Sequence, residues 1–274
     1  MRYIRTKTVP KAVNLADLEA AKRDFAKITD PKKRAAFIKK NASTWSAISE
    51  ALWGLGGFKC WYSEAVVQKG LAHVEHYRPK GKVAGVKHTG YWWRAFDWTN
   101  FRIAHPIANV RIKDYLTGKL SGKGTYFPLK PGSPRANNEA QEASEIPVLL
   151  DPTVAADCRL LSFDLTSGRP IPAIAKKTDP WLHERARLSI EFYYLYEADW
   201  NIRRKDLVDD VNALCDHVEE LADDLPKSQI EYDKALDDLT DYLDYTSEFS
   251  AVANQVVMER GLLETLFPKG SDSE

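Results

Sequence analysis

The segment His73-Val74-Glu75-His76-Tyr77-Arg78-Pro79-Lys80 puts two imidazoles, a carboxylate and two cations within eight residues. Side chains alternate along an extended chain, so His73, Glu75 and Tyr77 share one face and Val74 and His76 the other. Chemically, a carboxylate can hold a divalent ion while a neighbouring imidazole takes a proton from a water. A solvent-facing His-Glu-His on an edge strand would have the same composition, so the segment alone leaves both readings open. Further candidates flank it. Cys60-Trp61-Tyr62-Ser63-Glu64 lies upstream; Asp97-Trp98-Thr99-Asn100-Phe101, then His105-Pro106-Ile107-Ala108-Asn109, Arg111 and Lys113 lie downstream.

These residues must be positioned by the elements around them. Asn14 or Asp17 can cap a helix through residues 18–28, and Asp30-Pro31 opens a second through 31–43. In a third, residues 44–55, Trp45, Ile48, Leu52 and Leu55 recur at helical spacing, and Gly54 to Gly57 stop it. Residues 58–67 read as a short strand or turn. The stretch from Ala72 alternates, residues 81–90 form a Gly/Lys loop, and an aromatic block follows. Residues 117–134 read as a mobile basic loop. Residues 146–152 and 159–165 look like short buried strands. From Asp179 to about Leu266 the pattern is helical, with Leu207, Val211, Leu214, Val218 and Leu221 tracing one stripe and Pro226 interrupting it. The expected fold is α+β and mostly helical, divided into an N-terminal helical region (1–57), a central region with short strands (58–178) and an acidic helical region (179–274).

The 274 residues are 44% hydrophobic, enough for a substantial core. No apolar run reaches the ~20 residues of a membrane-spanning helix, so no membrane partner is expected. No apolar leader opens the chain, and three widely spaced cysteines fit a reducing cytoplasm, the expected location. Cys158 and Cys215 read as buried small residues. The net charge of zero conceals a division. Residues 1–135 carry 26 Lys/Arg against 9 Asp/Glu, a balance of +17, and the remainder carries 13 against 30, a balance of −17. The basic half suits a polyanion and the acidic half a protein partner, although two solvated surfaces of opposite sign would look the same.

Taken together, the motifs resemble HNH endonucleases. The order is Cys60-x-Tyr62-Ser63-Glu64, then Val74-Glu75-His76-Tyr77-Arg78-Pro79-Lys80, Gly90-Tyr91-Trp92-Trp93 ending in Trp98-x-Asn100, His105-x-x-Ala108-Asn109, and a late Phe127-Pro128-Leu129. More narrowly, the chain is similar to the HNH partner of two-gene bacterial defence systems whose other gene encodes an AAA-type ATPase, the Septu-like and some retron-associated pairs. The likeness covers roughly residues 50–185. It implies a ββα-metal finger set between the N-terminal helices and the C-terminal helical region. In that finger His76 corresponds to the general base, Glu75 and Asn109 to ligands of one divalent cation (Mg²⁺ or Mn²⁺), and Asn100 to the central asparagine that holds the site together. Arg78, Lys80 and Lys113 correspond to contacts with the phosphodiester backbone. The implied substrate is DNA, with RNA, including transfer RNA, as an alternative. The implied partners are the ATPase and, for the retron-associated pairs, an RNA/DNA complex.

The chain departs from the family at the structural zinc. The Cys-x-x-Cys pairs of other members read Cys60…Ser63 and His105…Ala108 here, and neither serine nor alanine is a useful zinc ligand. No structural zinc is therefore expected. The aromatic cluster of Trp61, Tyr62, Tyr91, Trp92, Trp93, Phe96 and Trp98 is the candidate to stabilise the finger instead. The same rings beside Arg94 and Arg102 allow a base-stacking platform. With its zinc positions eroded, the chain also admits an alternative: a catalytically inactive HNH-like module that binds nucleic acid or a partner.

Overall fold

The structure is a computed structural model that describes residues 1–8, 14–113, 118 and 120–267. It is α+β and about half helical, with three two-stranded antiparallel sheets among the described residues. Three helices open the chain: α1 (Ala16–Ala26), α2 (Pro31–Lys40) and α3 (Ser43–Leu55). The cap expected at Asp30 is present, whereas the N-cap position of α1 is Leu15, without a side-chain cap, and Asn14 bonds from one residue before it. Asn14 Oδ1 accepts from the Ala16 N–H at 3.0 Å, and the Asp30 side chain accepts from Lys33 N ahead of Pro31. Each satisfies a helix-end donor that would otherwise lack a partner.

Strand β1 (His73–His76) pairs with β2 (Phe101–Ala104) in the register Val74↔Ile103, Glu75↔Arg102 and His76↔Phe101. A short helix, α4 (Pro106–Asn109), follows β2 directly and packs on β1. Then come the two-residue strands β3 (Ile112–Lys113) and β4 (Leu120–Ser121). After α5 (Ala155–Cys158), residues 161–172 form the hairpin β5 (Leu161–Asp164) and β6 (Arg169–Pro172). The other expected strand, residues 146–152, is instead an irregular segment, exposed at Ile146 and buried from Val148 onward, bridged to Leu129 through Pro147. Pro147 and Pro152 lack the N–H groups that a ladder needs.

The helical end consists of α6 (Pro180–Phe192), α7 (Ala198–Asp223), α8 (Gln229–Leu243), α9 (Ser250–Glu259) and α10 (Leu263–Leu266). A left-handed residue, Tyr194 at φ 52°, separates α6 from α7. None of the helices among the described residues is long and apolar enough to cross a membrane.

The β1–β2 hairpin is a partition between two cores. Its Val74/His76/Phe101/Ile103 face meets a core built from Leu18, Phe25, Ile48, Leu52, Trp61 and Phe96. Its other face meets a larger core in which Tyr62, Tyr77, Tyr91 and Phe127 join Tyr193, Trp200, Val211 and Val252. That larger core is continuous from the central region into the acidic helices. Much of the aromatic block is therefore interior: Trp61, Tyr62, Tyr91 and Phe96 are fully buried, while Trp92, Trp93 and Trp98 are half-buried. Arg94 and Arg102, the cations that a stacking platform would offer to phosphates, are held by Glu142 and Asp97 and by Asp151, respectively.

Candidate functional site

The period-two alternation of β1 decides which groups meet. Glu75 points into the larger core and is 3% exposed; its Oε2 accepts from the Tyr62 hydroxyl at 2.8 Å. Its Oε1 accepts from the Lys123 ammonium, which is 0% exposed and also donates to the His76 carbonyl at 3.1 Å. Tyr62 itself stacks on Tyr193 with ring centres 3.9 Å apart. Burial, and then the neighbouring Glu75 carboxylate, push the Tyr62 hydroxyl well above its ordinary pKa, so it stays a proton donor.

On the same strand face, two residues earlier, stands half-buried His73. The Asn109 amide donates from Nδ2 to His73 Nδ1 at 3.3 Å, so the amide oxygen is the end not engaged by the ring. Asn109 owes its place to α4, whose first turn is capped by the His105 ring accepting from Ile107 N and begins with Pro106. Hairpin and helix thus bring Glu75, His73 and Asn109 to one side.

His76 lies on the other side, 5% exposed. Its Nε2–H donates to the Ala95 carbonyl at 3.0 Å, and Nδ1 faces the Lys80 ammonium at 3.2 Å. Trp45 and Phe101 meet the ring edge-on. Burial, then the Lys80 and Lys123 charges, hold the imidazole well below its usual pKa; the Ala95 hydrogen bond opposes them and loses. His76 is therefore neutral and does not share a pocket with Glu75.

Asn100 works on backbone. Its Oδ1 accepts from Arg78 N at 2.8 Å, and its Nδ2 donates to the Arg78 carbonyl at 2.9 Å, fastening the end of β1 to the turn before β2. The motif's cations are mostly turned inward. Arg78 Nε donates to Glu145 at 3.1 Å, and Lys80 lies over the Trp45 ring. Lys113 is exposed on β3. At the zinc-motif positions, buried Cys60 Sγ accepts from Ser63 N at 3.5 Å, the Ser63 hydroxyl accepts from Ala65 N, and Ala108 is buried. Among the described residues no group of three or more His, Cys, Asp or Glu side chains is arranged to hold a metal ion. Burial pushes the Cys158 thiol up to about 12, which suits the inert role expected for it.

Lys123 and the His73–Asn109 contact were not singled out by the spacing of motifs, and Tyr62 was read as a motif and aromatic-cluster residue without its bond to Glu75. One signal for Lys123 was present, the glycines on both sides of it in Gly122-Lys123-Gly124.

No protein-family model matches the chain. It is similar to the Septu protein PtuB of Bacillus mycoides (strain KBAB4), with 25% identity over 222 residues, covering 77% of this chain and 68% of that protein.

Proposed function

We propose that this chain is a metal-dependent phosphodiesterase of the HNH type, cleaving nucleic acid, with DNA as the first substrate to test. In this proposal it is the nuclease member of a two-gene defence system whose other member is an AAA-type ATPase. The similarity to a Septu PtuB protein and the order of the HNH-like motifs support the reading. The observation that carries it is the sequence of strand, strand and helix in β1, β2 and α4, with Glu75, His73 and Asn109 on one side of it.

A carboxylate and an amide oxygen are hard donors of the kind Mg²⁺ and Mn²⁺ take. Glu75 and Asn109 would hold such an ion, which when bound neutralises charge on the scissile phosphate and the leaving oxygen. The chain's own residues do the rest. With Nδ1 taken by Asn109, His73 presents Nε2–H as a donor suited to a phosphate oxygen. The resemblance gives His76 the base role, but its ring lies on the strand face opposite Glu75, so to act there the end of β1 would have to turn. The ring's Nε2–H is used by Ala95, so Nδ1 carries the lone pair a base needs, and the Lys80 ammonium must also withdraw before a water can reach it. Asn100 keeps the strand end and its turn in register, and exposed Lys113 offers a charge to the phosphodiester backbone.

One observation favours the alternative of a non-cleaving binding module. Glu75 is already neutralised by Lys123, and His76 is engaged at both nitrogens, so the motif can serve as a strut. Supercoiled plasmid incubated with Mg²⁺ or Mn²⁺ and the protein, alone and with its ATPase, separates the two readings. The nuclease reading expects nicked or linear product, reduced at least ~10–100-fold by Asn109→Ala and by Glu75→Gln. Nucleic acid bound by the complex yet uncut under either metal would establish the module instead.

A further inference from the structure

The least expected feature of the site is a lysine from a Gly/Lys-rich loop buried completely against its one acidic side chain. Three provisions put it there. Gly122 has φ +89°, and a Cβ on it would sit 1.9 Å from the Val110 carbonyl oxygen. Gly124 has φ +54°, with Arg111 Cγ 2.7 Å from where its Cβ would be. Both backbone conformations favour glycine, and at Gly122 the Val110 carbonyl leaves no room for a Cβ at all. Between them, Lys123 N donates to the Ala108 carbonyl at 3.0 Å and Gly124 N donates to the Asn109 carbonyl at 2.7 Å. The lysine is therefore anchored to the same turn of α4 that carries Asn109, and its ammonium reaches Glu75 and the His76 carbonyl.

A buried ion pair is a weak stabiliser compared with well-packed apolar groups of the same volume, so stability alone does not account for this arrangement. We propose that Lys123 is a built-in cation that competes with a divalent ion for Glu75 and so sets the metal requirement of the site. The proposal rests on the reading above that Glu75 is an oxygen ligand. The competition is confined to one oxygen: Tyr62 donates to Oε2 and can stay, whereas Oε1 serves either the ammonium or the ion. Because the 122–124 segment is bonded to the Ala108 and Asn109 carbonyls, withdrawal of Lys123 and readjustment of Asn109 are one event.

Mn²⁺ binding tests this directly, read without nucleic acid by the loss of the free-ion EPR signal. Lys123→Met is expected to bind Mn²⁺ at least about tenfold tighter than the parent, because the resident positive charge is gone. Combining it with Glu75→Gln is expected to remove the gain. Equal affinity in the parent and Lys123→Met, or a gain that survives Glu75→Gln, overturns the proposal. A second measurement needs no variant and decides the matter should Lys123→Met fail to fold. Under reductive methylation followed by mass spectrometry, Lys123 is expected to stay unmodified in metal-free protein and to become modified at saturating Mn²⁺. Modification that is indifferent to Mn²⁺ overturns the proposal equally. Neither readout involves cleavage, so a protein that passes both and never cuts nucleic acid defeats the catalytic reading and leaves this one standing.

Discussion

Glu75 and His76 are consecutive in the chain and yet serve different cores: the carboxylate rests on Tyr62 and Lys123, while the imidazole is enclosed by Trp45, Phe101 and the Ala95 carbonyl. Strand alternation makes this separation unavoidable, and it distinguishes the two histidines of the motif. His76→Ala removes a ring from a packed interior and leaves the Ala95 carbonyl without its donor, so a loss of about 2–4 kcal/mol is expected. His73→Ala, at a half-buried position, is expected to cost less than about 1 kcal/mol. Urea denaturation of the two variants measures the difference. Any loss of cleavage in His76→Ala has to be read at a temperature where that variant is still folded.

Asn100 offers a second test. Its amide donates and accepts across the backbone of Arg78, which no isosteric acid can do. Asn100→Asp loses the donated bond and sets a charge against the Arg78 carbonyl, and is expected to cost about 2–3 kcal/mol. Thermal unfolding reads it; an unchanged midpoint would show that the turn before β2 is held by other contacts.

Beneath the hairpin, Arg102 forms a paired contact with Asp151, its Nε donating to Oδ1 at 2.7 Å and its second terminal nitrogen to Oδ2 at 2.6 Å. Burial pushes the Asp151 carboxyl upward, but the Arg102 charge, its hydrogen bonds and those from Thr153 outweigh it and hold the pKa below the usual value. A carboxyl depressed in the folded state binds fewer protons than in the unfolded chain, so its contribution is present above the unfolded value of about 4 and is lost as pH falls below it. Asp151→Asn strands a buried guanidinium and is expected to cost about 3–5 kcal/mol at neutral pH. The gap between variant and parent should narrow as the pH is taken below about 4, and denaturation curves at several pH values would reveal a constant gap if the pairing were unimportant.

The two glycines beside Lys123 should not be equivalent. A methyl group on Gly122 meets a backbone carbonyl, which cannot step aside, whereas one on Gly124 meets the flexible Arg111 side chain. Gly122→Ala is expected to cost more than about 2 kcal/mol and Gly124→Ala about 1 kcal/mol. Equal losses in chemical denaturation would mean that the segment shifts as a whole.

The sequence makes plain what depends on local pattern. The sharing of one strand face by His73 and Glu75, the Asp30-Pro31 helix start and the stripe on α7 all follow from periodicity and end signals among near neighbours. The enclosure of His76 is different, because it depends on Trp45 of α3 meeting a strand that forms some thirty residues later. Lys123 misleads for the same reason. Gly/Lys-rich composition reads as a solvated loop, and only the close approach of Gly122 to Val110 turns the lysine inward. Arg78 and Lys80 look available for phosphate until Glu145 and His76 are found beside them. The contacts of Trp45, Lys123 and Arg78 join residues far apart in the chain, which no short-range pattern encodes, whereas that of Lys80 with His76 spans only four residues.

The shared interior that runs from Tyr62 to Val252 has an electrical consequence. Two halves with formal balances of +17 and −17 cannot drift apart to relax their mutual field, and ion pairs such as Arg102–Asp151 and Arg78–Glu145 fasten one to the other. Added salt weakens the pairs that remain open to solvent first, since exposed charges are screened over about 10 Å while buried ones are not.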